Sequence, residues 1–131
     1  MTIPFWCLFV VAVLPYVWFA VAGPARVKQL GKDFDPRAPR AQEPLLRDFA
    51  ARAQGAHANA LEALAYFTPA VLVNHLAHAD PEWSARFAIA FVVLRVGHGL
   101  TYIGDRPPLR TISQVLGLIC SIALFVLAAQ A

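Results

Sequence analysis

Four apolar blocks, each about twenty residues long, alternate with polar stretches along the chain. They run from Ile3 to Ala22, from Ala56 to Leu76, from Trp83 to Tyr102 and from Thr111 to Ala129. A helix needs about twenty residues to cross a hydrocarbon core of ~30 Å. Each block therefore predicts one membrane-spanning helix, with Pro15 bending the first. The long polar segment, residues 23–55, holds Pro24, Pro36, Pro39 and Pro44, which argue against a continuous helix across it. It reads as a membrane-edge loop with at most a short helical end running into the second block. The other connections are short, His78–Glu82 and the turn Gly104–Pro108. The expected fold is all-α, a single four-transmembrane-helix bundle over residues 1–131.

Ala20-Val21-Ala22 offers a competing reading, since it resembles a signal-peptide cleavage site. No Lys or Arg precedes the apolar run, however, and the run is longer than a signal core. The membrane-span reading is the stronger one.

Composition supports the choice of solvent. Only 15% of residues are charged and 59% are hydrophobic, against about 25% charged in an ordinary soluble domain. The net charge of +3 would suit a nucleic-acid partner, but the basic residues gather in one loop without interleaved aromatics, so none is expected. That loop carries Arg26, Lys28, Lys32, Arg37, Arg40, Arg47 and Arg52, and the third connection adds Arg106 and Arg110. The second connection has no Lys or Arg but contains Asp80 and Glu82. By the positive-inside rule the first and third connections are cytoplasmic and both termini lie outside. Cys7 and Cys120 fall inside apolar blocks, where a free thiol packs as a small hydrophobe.

Ionisable residues within a span are costly and by default face a bundle interior or a hydrated cavity. Here they are Glu62, Arg95 and His98, with Asn59 one turn before Glu62. Arg95, His98 and Tyr102 recur at i, i+3 and i+7 and line one stripe. Glu62 lies about six residues, or ~9 Å, inside the cytoplasmic end of its span. His98 reaches a similar depth, and Tyr102 and Arg110 flank the third connection on the same side. This spacing gathers distant residues into one layer near the cytoplasmic surface. Alternatively, Glu62 and Arg95 neutralise one another and merely fix helix register. His75 and His78, near Asp80 and Glu82, form no closed ligand set, so no metal is expected.

Arg52-Ala-Gln-Gly-Ala-His-Ala-Asn59-Ala-Leu-Glu62 and Arg95-Val-Gly-His98-Gly-Leu-Thr-Tyr102 resemble motifs of the membrane-associated proteins in eicosanoid and glutathione metabolism (MAPEG). The resemblance extends over nearly the whole chain. It implies a homotrimer that binds glutathione as co-substrate between subunits near the cytoplasmic side. It further implies that Asn59 and Glu62, matching Asn-x-x-Glu, hold the polar ends of glutathione. Arg95, His98 and Tyr102 match an Arg-x-x-His-x-x-x-Tyr pattern like that of microsomal glutathione transferases. Arg110 resembles the arginine that activates the thiol, with Tyr102 beside it in the catalytic pair and His98 helping to orient the peptide. One departure stands out: the family's transferases usually carry an arginine four residues before the asparagine, and Gly55 stands there. Arg52, one turn earlier, takes over the carboxylate contact if the helix extends to it.

The chemistry is physically sound. A free thiol titrates near 8.5 and is mostly protonated at neutral pH. A guanidinium beside the sulfur in a partly desolvated site favours the thiolate, which attacks an electrophile or peroxide dissolved in the bilayer. The expectation is a glutathione-dependent transferase or peroxidase acting on lipophilic small molecules among membrane lipids, in a bacterial inner membrane. The alternative is a non-catalytic lipid-binding or scaffold protein of the same fold. An isomerase that uses glutathione without consuming it is a further possibility.

Overall fold

The computed structural model describes all residues from Met1 to Ala131. Four long helices, α1 (Ile3–Leu30), α2 (Asp48–Leu76), α3 (Pro81–Ile103) and α4 (Pro107–Ala129), make up the molecule, and there are no strands. Between α1 and α2 lie two short 3-10 helices, Gly31–Asp33 and Pro39–Leu45. Local sequence marks the helix starts. The Asp80 carboxylate accepts the Trp83 amide at 2.8 Å, Pro81 opens α3, and Pro107 and Pro108 open α4.

The chain runs up and down. Phe5 at the start of α1 stacks edge-on against His75 at the end of α2, and Arg26 near the end of α1 bonds Gln54 near the start of α2. Asn74 donates to the Leu124 carbonyl at 3.0 Å, which puts the C-terminal ends of α2 and α4 together. Both termini thus lie at the end of the bundle opposite the basic loop.

Two helix boundaries differ from the reading of the apolar blocks. α1 continues past Ala22 to Leu30, straight through Pro24. A proline removes one ladder hydrogen bond, and the residues after it, Ala25 to Leu30, include strong helix formers such as Ala, Arg, Lys and Gln. α2 starts at Asp48, so Arg52 and Gly55 are helical and share a stripe with Asn59 and Glu62.

α1, α3 and α4 are each long and apolar enough to cross a membrane. α2, which contains the expected span from Ala56 to Leu76, is more polar and packs among them. Its buried face is a row of small residues, Ala50, Ala53, Ala56, Ala60, Ala63 and Ala70. Without side-chain bulk the helix backbones approach closely, the usual way apolar helices associate where hydrophobic exclusion is weak. The core is centred on Phe67 and Phe91, stacked at 3.9 Å, with Val11, Val71 and Leu124 around them. Cys7 and Cys120 are free thiols buried in the same cluster. Nearer the basic loop, Trp18 closes a second cluster with Leu14, Ala56 and Ala60. Its indole lies against Gly99, in space that any side chain at that position would occupy. The outer surface is apolar, with Phe9, Val13, Phe19, Leu61, Val93 and Ile119 all exposed. A surface of this kind belongs in lipid.

Candidate functional site

At the basic-loop end, α2, α3 and α4 bring together residues from both motifs. Tyr102 lies over α2 at Gly55, while the Asn59 side-chain amide donates to the Gly55 carbonyl at 3.1 Å. The Arg110 guanidinium stacks over the Tyr102 ring, 4.5 Å from its centroid. Such a contact is attractive because the ring face carries negative electrostatic potential. Arg110 forms no ion pair, since the three salt bridges of the chain all involve other residues. Its cation is therefore uncompensated.

His98 sets the backbone beneath Arg110. A carbonyl oxygen only accepts, so the contact of His98 Nδ1 with the Arg110 carbonyl at 3.1 Å assigns the proton to Nδ1. Ser113 Oγ donates to the same carbonyl at 2.9 Å. His98 Nε2 is left as a buried acceptor with no partner. The imidazole also meets the Tyr102 ring edge-on at 5.7 Å. His98, Tyr102 and Arg110 thus form one connected unit across α3 and α4.

Arg52 lies at the edge of this unit. Its Nε donates to the Ile103 carbonyl at 3.1 Å and its guanidinium faces Asp105 at 3.9 Å. The helix does reach Arg52, and the side chain clasps the C-terminal end of α3.

Glu62 and Arg95 do not pair. Arg95 is 2% exposed, donates to the Asn59 carbonyl at 3.1 Å, and bonds the Gln114 side chain. Its guanidinium sits inside the bundle, joining α3 to α2 and α4. Glu62 is exposed on the outer face of α2 and makes no hydrogen bond or ion pair within the chain. No direct ion pair joins these two residues: Arg95 is tied into the bundle by hydrogen bonds and Glu62 is an outward carboxylate.

The sequence reading passed over a second group of polar residues at the same level. Arg26 is 8% exposed, donates to Gln54 Oε1 at 2.8 Å and to the Pro39 carbonyl at 3.2 Å, and lies 3.6 Å from Glu43. With His57 and Arg40 it borders a cavity of about 400 Å³ between α1, α2 and the loop. His57 Nδ1 donates to the Pro15 carbonyl at 2.9 Å. The signal was present in the periodicity. Val11, Leu14, Trp18 and Ala22 form a buried stripe of α1, and Arg26 continues it by one turn. Ending the helix at Ala22 hid that continuation. At the opposite end of the bundle, His75 and His78 border a separate pocket with Asn74 and Ser84.

No curated protein and no solved structure matches the chain. A family model does match, that of the MAPEG family, over residues 3–130. The chain therefore belongs to the MAPEG family and is a multi-pass membrane protein of the class concerned with glutathione and eicosanoid metabolism.

Proposed function

We propose that the protein is a glutathione-dependent transferase or peroxidase acting on lipophilic electrophiles, assembled as a homotrimer. The observation that carries this reading is the uncompensated Arg110 cation, stacked on Tyr102 and backed by His98. A cation held beside a thiol in a partly desolvated place favours the thiolate over the thiol. Lowering a thiol pKa by about two units takes roughly 2.7 kcal/mol of differential stabilisation.

The residues fit the peptide chemically. Glutathione carries two carboxylates, an ammonium and a thiol. Glu62 offers an unpaired carboxylate for the ammonium, Asn59 offers an amide, and Arg110 and Arg52 offer cations. Glu62 is exposed and the other three are half-buried, so a neighbouring copy would close the site. Arg26 and His57 lie at the same level on the α1–α2 face and supply further polar groups. When bound, glutathione would supply the nucleophilic sulfur. The chain's own residues orient the peptide, and Arg110 holds the sulfur's negative charge.

The test is thiol-dependent turnover of an aryl halide by detergent-purified protein. Turnover should be present in the wild type and fall about a hundredfold or more in Arg110→Ala, the loss expected on removing a main electrostatic stabiliser. A wild type that is folded, retains lipid and shows no turnover would favour the non-catalytic alternative.

A further inference from the structure

The space beside Gly55 that a side chain would fill belongs to Tyr102. A Cβ built on Gly55 would lie 2.6 Å from the Tyr102 hydroxyl oxygen and 2.7 Å from both Cζ and Cε1. Carbon atoms in proteins do not approach so closely without something shifting. These three Tyr102 atoms are the nearest to such a Cβ from outside the helix's own backbone. The phenol is therefore seated in the notch left by a missing side chain.

Other contacts converge on the same notch. The Gly55 carbonyl accepts the Asn59 amide, which brings that side chain beside the seat. The Tyr102 ring presents a face to Arg110 and stands in a T-shaped contact with His98. Moving the ring would disturb both contacts together, because one side chain carries both.

We infer that Gly55 is a positioning residue: its missing side chain seats Tyr102 and thereby holds Arg110 in place. This rests on the function proposed above for what the held arginine does, but not for the seat itself. One consequence runs against intuition. Adding a cation at this position, Gly55→Arg, displaces Tyr102 and weakens thiol ionisation rather than improving glutathione binding.

The experiment is a double-mutant cycle on detergent-purified full-length protein, combining Gly55→Ala with Tyr102→Ala. Thermal unfolding is read without glutathione, and thiolate absorbance per folded chain is read at saturating glutathione. Alanine is intrinsically a better helix former than glycine, so the sign of the effect is diagnostic. Gly55→Ala should lower the melting temperature when Tyr102 is present and leave it unchanged or raise it when the ring has been removed. An equal fall in both backgrounds, or no fall in either, overturns the seat. With glutathione at neutral pH, Gly55→Ala and Gly55→Arg should each cut the thiolate signal by about tenfold or more, as expected when the thiol pKa returns toward ~8.5. A full signal in either variant overturns the positioning role. If the wild type gives no thiolate signal, the function proposed above falls and with it the role toward Arg110. The thermal cycle still decides the seat.

Discussion

Arg95 carries a guanidinium into the bundle with no carboxylate to meet it. Its partners are the Asn59 carbonyl and the Gln114 side chain, while its Nε has none. A buried cation held this way links three helices at one level and so fixes their register. Arg95→Ala should lower stability by about 2–4 kcal/mol, combining a cavity with lost charge-assisted bonds. Thermal or denaturant unfolding in detergent checks this, and a variant as stable as wild type would show that the arginine is not structural. The stripe of Arg95, His98 and Tyr102 was legible from spacing alone, because period 3.6 places such residues on one face. Their fates were not. Periodicity says which face a residue shares, not whether the neighbouring helix seals it, as α2 and α4 seal Arg95, or leaves it open, as Glu62 is left.

Among the helices, α1 shows what the apolar pattern reveals and what it conceals. Its first twenty residues read as a span, and the structure has a helix there long and apolar enough to cross. The next two turns are polar and follow a proline, so hydropathy ends the helix early even though the backbone continues. The packing of α1 on α3 was likewise hidden, because it depends on Trp18 meeting Gly99 across two helices far apart in sequence. Gly99→Ala should force the indole out and destabilise the fold by about 1–3 kcal/mol, the usual range for overpacking. Trp18→Ala combined with Gly99→Ala should recover part of the second loss, since the obstructing ring is gone. Additive losses in unfolding experiments would contradict that contact.

Among the exposed side chains of the four helices, Glu62 is a carboxylate with no ion-pair partner within the chain. A carboxylate left facing lipid is costly. The proposed homotrimer removes that cost by facing Glu62 toward a neighbouring copy. Native mass spectrometry of protein released from lipid nanodiscs should show three chains, and a persistent monomer would contradict the assembly. The bundle itself was readable in four apolar blocks. The assembly was not, because its contacts lie between copies and leave no period along one chain. Thiol activation, on which the functional reading turns, is most directly tested by the ultraviolet thiolate difference signal on adding glutathione to wild type and Arg110→Ala. A signal in the wild type that disappears in a folded Arg110→Ala variant is the predicted result. A folded wild type that binds glutathione without any thiolate signal, or an undiminished signal in the variant, would contradict activation by Arg110.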